Sequence, residues 1–276
     1  MPSKSIRWAF NISKWNPSHC DMLLATSYVQ TEEKARLGRF VFKKDFKSSL
    51  VGRLMMRKFV SNLSNKPYNS IQFLRDEKGK PYLADSDNYP QLNFNVSHQG
   101  DYVVLAGESS DNKLGIDVMK LEYTGGKSLS EFFRLMTRHF SSTEWRTIRD
   151  AGNERAQIAM FCRHWCLKES YVKAIGVGIT VNLQDISFKI NTKLLSKCHV
   201  VKDTELFIKG DKLSNWTFQE MLLDDEHCTA VAINSGDVED CVFRELTFTE
   251  LVADAIPLLE KDDVYCNNFF KKLDKK

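Results

Sequence analysis

Apolar residues at i, i+4 spacing organise the first long segment of the chain, residues 31–63. Leu50 and Leu54 fall on one helical face with Val51 and Met55, and Phe59 extends the stripe. Thr31 followed by Glu32 and Glu33 supplies a helix start with acids in the first turn, and Asn65-Lys66-Pro67 supplies the stop, so one helix is predicted over 31–63. Arg75 to Pro81 is a turn or loop punctuated by Gly79 and Pro81. Residues 93–106 read as strand, turn, strand around Gln99-Gly100-Asp101, and Leu114 to Val118 as a further short strand before Gly125-Gly126. Helices are predicted at 128–137, 141–150 and 154–175, and strands at 184–190, 204–209, 215–223 and 227–234. A helix followed by paired strands therefore occurs twice, as 44–62 with 93–107 and as 154–175 with 215–234. The repeat fits either the chance recurrence of common α+β units or an internal duplication; if it is a duplication, the cleft between two similar halves is the default ligand site.

Composition narrows the class. The chain has 276 residues, 42% hydrophobic and 27% charged, which is ordinary globular composition and excludes a disordered, collagenous or coiled-coil protein. No apolar run approaches the roughly 18 residues of a membrane span, and the start, Met1-Pro-Ser-Lys-Ser-Ile-Arg-Trp, does not read as a signal peptide. Seven cysteines without framework spacing read as reduced thiols, so a cytosolic protein is expected. The net charge of +3 hides an asymmetry: residues 1–60 carry 12 Lys/Arg and 4 Asp/Glu, whereas residues 201–264 carry 5 and 16. Both regions fit solvated surfaces, and the basic one also fits an anionic ligand or partner. A nucleic-acid role for the basic stretch 34–58 is disfavoured by the acidic region and by the lack of a recognised module.

Three sets of residues carry candidate chemistry. In Met160 to Gly176, helical spacing places Ile158, Phe161 or Cys162, Trp165, Val172 and Ile175 on one apolar stripe, with Glu169 among them. A carboxylate there needs a partner. Lys173, one turn on, is one choice; a hard metal ion is another. Cys162, His164 and Cys166 look like metal ligands, but no second Cys/His pair completes a tetrahedral set, and they read as core. Asp117 stands inside the strand pattern Leu114-Gly-Ile-Asp-Val, either as a cap for the next turn or as an oxygen ligand with Glu169. Arg36, Arg75, Lys78, Lys80 and His98 form a basic set, and Lys78-Gly79-Lys80-Pro81 is a loop type that suits phosphate as well as plain solvation.

In order, Lys-Gly-Lys-Pro (78–81), Asn-Val-Ser-His (95–98), Gly-Ile-Asp (115–117) and Trp-Cys-Leu-Lys-Glu-Ser-Tyr-Val-Lys-Ala-Ile-Gly (165–176) resemble the 4′-phosphopantetheinyl transferases. The likeness runs from about Ile6 to residue 234, takes in Gly52-Arg-Leu-Met-Met-Arg-Lys58, and is strongest to the animal cytosolic members; the tail beyond matches poorly. The resemblance implies transfer of the phosphopantetheine arm of coenzyme A to a carrier-protein serine, with release of adenosine 3′,5′-bisphosphate. It also implies two similar α/β halves in pseudo-two-fold relation with the active site between them, here residues 1–120 and 121–276. Matched by position, coenzyme A would be held by Arg36, by Arg75, Asp76, Glu77, Lys78, Gly79 and Lys80, and by Asn95, Val96, Ser97 and His98. Asp117 and Glu169 would bind Mg²⁺, or Mn²⁺ in its place; Lys173 would neutralise phosphate, with Lys168 adding to it. Glu169, Lys173 and Asp117 would be the catalytic set, Glu169 also serving as a base. Many microbial members carry a second acid two residues after the Asp; here that position is Met119. The implied partners are acyl carrier domains of the fatty acid synthase, aminoadipate-semialdehyde dehydrogenase and formyltetrahydrofolate dehydrogenase types, linking the chain to fatty acid synthesis and lysine metabolism. Neither nucleic acid nor membrane is expected as a partner, and a monomer suffices. A binding module of the same fold without catalysis is the alternative.

Overall fold

The fold, a computed structural model, describes residues 5–64, 66–89, 91–123, 125–178, 181–236 and 238–274. It is α+β and divides into two compact units.

The first unit comprises Trp8–Asp111 and Arg244–Lys276. It begins at Trp8 within strand β1 (Ser5–Asn11) and continues through helices α1 (His19–Ser27), α2 (Thr31–Gly38) and α3 (Lys43–Ser64). A short hairpin, β2 (Phe73–Arg75) and β3 (Pro81–Leu83), precedes the longer antiparallel pair β4 (Leu92–Gln99) and β5 (Tyr102–Ser109). The C-terminal stretch adds β12 (Arg244–Glu245), α7 (Phe248–Val252) and α8 (Asp263–Phe270). Its main sheet has the order β12-β1-β5-β4, and β12 joins β1 in parallel, Trp8 opposite Arg244. α3 covers β4 and β5 with a wholly buried row that includes Leu50, Val51, Leu54, Met55 and Phe59.

The second unit comprises Ser5–Arg7 and Asn112–Phe243. It contains β6 (Leu114–Lys120), α4 (Leu129–Leu135), α5 (Ser142–Arg149), α6 (Glu154–Ile175), β7 (Ile186–Lys189), β8 (Glu205–Ile208), β9 (Asp211–Leu213), β10 (Thr217–Asp224) and β11 (His227–Ile233). β10-β11-β6 form an antiparallel sheet against which α6 packs, and β7-β8-β9 form a smaller one. Asn153 caps α6 by accepting from the Ala156 N–H at 3.0 Å, and Gly176, at φ 70°, ends it in the left-handed conformation open to glycine. Phe133, Phe140, Trp145 and Phe161 pack ring against ring beneath the helix.

Two sequence expectations change. The helix expected over 31–63 is two helices, because Leu273 pairs with the chain at 41–43: Lys43 N–H donates to its carbonyl at 2.9 Å, and its N–H donates to Val41 at 3.2 Å. A strand-like bridge there is incompatible with helical backbone. The expected division at 120/121 differs from that of the structure, where the units part at 111/112 and residues 244–276 return to the first. The reason is pairing: β6 hydrogen-bonds to β11, and β12 to β1.

Candidate active site

In the second unit, α6 lies so close to β6 that only glycine fits at position 115. A Cβ there would sit 2.1 Å from the Ser170 carbonyl oxygen and 2.4 Å from the Ala174 nitrogen. That approach sets the next inward residue of the strand, Asp117, against the helix. Asp117 is buried, opposite Ala230 in the ladder, and its Oδ1 takes an ion pair from Lys173 Nζ at 2.6 Å; the same ammonium donates to the Ile116 carbonyl at 3.2 Å. Glu169 is half-buried one turn before Lys173. Burial, and then the Asp117 charge, push its carboxyl above the ordinary glutamate value, and Lys173 pulls it back. The structure thus brings together Asp117, Glu169 and Lys173. α6 is buried nearly all round from Phe161 to Ala174; its half-open face is Trp165, Glu169 and Lys173, so Glu169 lies on that face and not on an apolar stripe.

Two carboxylates in mutual repulsion beside a lysine fit a hard divalent cation, which takes one or two protein oxygens and fills its shell with water and phosphate. The Met119 side chain, a thioether packed against the apolar core, offers no oxygen where a second acid would. Among the described residues no group of three or more His, Cys, Asp or Glu has metal-site geometry. Cys162, His164 and Cys166 spread apart: Cys162 Sγ faces the Lys120 carbonyl, His164 Nδ1 the Met160 carbonyl, and Cys166 Sγ the Cys228 carbonyl.

Lys168 corrects an expectation. Its ammonium is buried, pairs with Glu144 at 2.9 Å, donates to the carbonyls of Leu183 (2.9 Å) and Ile186, and lies 5.2 Å from the centre of the Phe140 ring. It is a core ion pair, turned away from the Glu169 face.

In the first unit, the hairpin turn between β2 and β3 is built by Asp76. Its Oδ1 accepts from the N–H groups of Lys78 (2.9 Å) and Lys80 (2.8 Å), and its carbonyl from Gly79, whose φ of +81° favours glycine. Arg75 donates to the Gly79 carbonyl. Asp76 therefore organises the loop, Glu77 and Lys78 are exposed, and Lys80 is half-buried with its ammonium pKa lowered by burial. Arg75 and Arg36 are close enough that, after burial, the charge of Arg36 lowers the Arg75 pKa; both line a groove of about 250 Å³ with Glu33, Phe73 and Pro81. On β4, Asn95 and Ser97 are buried, Val96 is half-buried on the alternate face, and His98 is exposed near the strand's end.

Sequence reading missed what holds this groove. Gln30 Oε1 accepts from Phe73 N–H (2.7 Å) and from the wholly buried Arg57 (2.6 Å); Glu33 pairs with Arg53 at 3.2 Å and Arg57 at 3.8 Å. The available signal was Arg57 inside the apolar run of α3, where a buried guanidinium must find acceptors.

Residues 13–110 match the family model described as 4′-phosphopantetheinyl transferase, N-terminal, and residues 113–232 that of the 4′-phosphopantetheinyl transferase superfamily. The chain belongs to this superfamily. Over 281 residues it is 43% identical to the L-aminoadipate-semialdehyde dehydrogenase-phosphopantetheinyl transferase of Xenopus laevis, covering 97% of this chain and 92% of that protein. The protein of that name from Homo sapiens is 42% identical, over 96% of this chain and 91% of its own length. The 4′-phosphopantetheinyl transferase Sfp of Bacillus subtilis (strain 168) is 30% identical over 60% of this chain and 68% of its own.

Proposed function

We propose that this chain transfers the 4′-phosphopantetheine arm of coenzyme A to a serine of acyl carrier domains. The observation that carries the reading is the Asp117–Glu169–Lys173 set, assembled by the close seating of α6 on β6 in a member of this superfamily. The serine oxygen attacks the phosphorus that bears the pantetheine arm; the bond from that phosphorus to the bridging oxygen breaks, and adenosine 3′,5′-bisphosphate leaves. We assign the basic residues of the first unit, Arg36, Arg75, Lys78, Lys80 and His98, to the nucleotide phosphates, with Asn95 and Ser97 as polar contacts. Lys173 is assigned to the pyrophosphate, where charge grows as the bond breaks and a fixed ammonium is most effective. Glu169, whose carboxyl favours the proton more than an ordinary glutamate does, is the acceptor for the serine proton. Asp117 and Glu169 would hold Mg²⁺ or Mn²⁺, which supplies Lewis-acid neutralisation of phosphate oxygens.

All seven cysteines are free, which supports a reducing compartment, and no helix among the described residues is long and apolar enough to cross a membrane. We place the chain in the cytosol as a monomer. The names of its relatives make the carrier domain of aminoadipate-semialdehyde dehydrogenase the first substrate to try, followed by fatty acid synthase and formyltetrahydrofolate dehydrogenase types; fatty acid synthesis and lysine metabolism follow as its contexts. The test is mass spectrometry of apo carriers incubated with the chain, Mg²⁺ and coenzyme A. The expected result is a gain of one phosphopantetheine on the carrier serine. Coenzyme A binding without mass gain on any of the three carriers overturns the transferase in favour of a binding module.

A further inference from the structure

α2 carries Arg36, yet it is a helix of 8 residues, well below the roughly 12–15 at which isolated helices hold together in water. Something outside it must fix its last turn. At its start, the Gln30 and Glu33 contacts to Arg57 and Arg53 do this. At its end, the partners come from more than 220 residues away in sequence, all within the first unit. The Tyr265 hydroxyl donates to the Lys34 carbonyl at 2.6 Å. Lys34 Nζ pairs with Asp262 at 2.9 Å and lies 4.8 Å from the centre of the Tyr265 ring. Lys272 donates to the Gly38 carbonyl, the last of the helix, at 2.9 Å and to that of Phe40 just beyond it, so an ammonium caps the helix end. Tyr265 sits flush on the last turn: a Cβ on Gly38 would stand 3.5 Å from its ring. The segment is itself anchored in the core by Phe269, whose ring packs tilted at 48° against that of the buried Phe46, centroids 4.9 Å apart.

We propose that the C-terminal segment Asp262–Leu273 is a strap that positions Arg36 for coenzyme A, with Tyr265 and Lys272 as positioning residues. The inference rests on the assignment of Arg36 to the nucleotide phosphates. The strap lies beyond both family-model matches, which end at residues 110 and 232.

The experiment is calorimetric titration of coenzyme A into the full chain, without carrier, for the wild type and for Tyr265→Phe, Lys272→Ala, Arg36→Ala and the two double variants with Arg36→Ala. Tyr265→Phe keeps the ring and loses only the hydroxyl, so the fold is retained, as circular dichroism checks; Lys272→Ala probes the same carbonyl cap from the surface. Each strap variant weakens coenzyme A binding about 3–10-fold, the range of one lost hydrogen bond. In the Arg36→Ala background neither has a further effect, because the group being positioned is gone. In steady state the KM for coenzyme A rises while kcat at saturation and the KM for carrier stay within about two-fold. If Tyr265→Phe and Lys272→Ala leave binding unchanged while Arg36→Ala weakens it, the strap is overturned and the assignment of Arg36 stands. If the strap variants weaken binding equally with and without Arg36, the segment acts by general loosening and the positioning role is overturned. If Arg36→Ala itself has no effect, the assignment fails and the strap proposal with it.

Discussion

α3 and α6 are both helices of 22 residues laid on antiparallel strands, and they differ in how near they come. On β5, the space a Cβ of Gly107 would need is filled by the Phe59 ring, with the nearest ring atom 2.1 Å away; an aromatic side chain is the spacer. On β6, the space beside Gly115 is filled by the backbone of α6 itself. Removing the spacer brings short polar side chains of helix and strand into reach. Lys173 can then touch Asp117 at 2.6 Å, and Glu169 can feel its charge. The buried guanidinium of α3, Arg57, instead serves acceptors in the Gln30 and Glu33 network and supports a groove it does not line. One architecture therefore yields a scaffold where a side chain separates its layers and an acid–lysine set where backbone meets backbone.

The largest expected effect tests the α6 face. Glu169→Gln is expected to lower turnover on an apo carrier by about 10²–10⁴-fold with the circular dichroism spectrum unchanged. Near-normal turnover would reduce Glu169 to a bystander of the Asp117–Lys173 pair. The two glycines sharpen the contrast next. Gly115→Ala meets backbone that cannot step aside and is expected to destabilise the chain by about 3 kcal/mol, at the top of the overpacking range, with loss of activity in what folds. Gly107→Ala meets the outer edge of a ring that can rotate, and is expected to cost about 1–2 kcal/mol with specific activity retained. Chemical denaturation that finds equal costs would break the comparison. The smallest effect concerns His164, which sits buried in α6 with Nε2 lacking a partner among the described residues; burial holds its pKa down to about 3, from 6.5. Between those values the unfolded chain binds a proton that the folded chain does not, so stability falls as pH drops below 6.5, by at most about 1.4 kcal/mol per pH unit. His164→Leu should remove one proton from that slope, measured as unfolding free energy against pH. An unaltered slope would show that the imidazole is wetter than its burial indicates. α3 carries no histidine, so the effect has no counterpart on that helix.

Much of this was legible beforehand because it is local. The bounds of α6 were readable at both ends, since Asn153 is a strong start signal, Gly176 a strong stop signal, and the pattern between them is long. β4 and β5 announced themselves by apolar runs around Gln99-Gly100-Asp101, and the structure pairs Gln99 with Tyr102 across that turn. Asp117, Glu169 and Lys173 stood out as charge within apolar pattern. The break between α2 and α3 was not legible, because Leu273 imposes it from the other end of the chain. The return of residues 244–276 to the first unit was hidden for the same reason: a parallel pairing of β12 with β1 leaves no mark in either strand's composition.

The amino-acid order by itself determined which side chains share a face. Glu169 and Lys173 are four apart on a helix, while Lys168 and Lys173 are five apart and so roughly 140° around it. It also determined where glycine must stand. Only the tertiary structure decided which face was wet. It sent Lys168 inward to Glu144 and left Lys173 beside Asp117, and it gave Arg57 and Tyr265 the task of fixing a helix that neither belongs to. The reason is physical. A charge is indifferent in sequence to the direction it points, and its role follows from whether the neighbours assembled around it supply water, an opposite charge or a carbonyl oxygen.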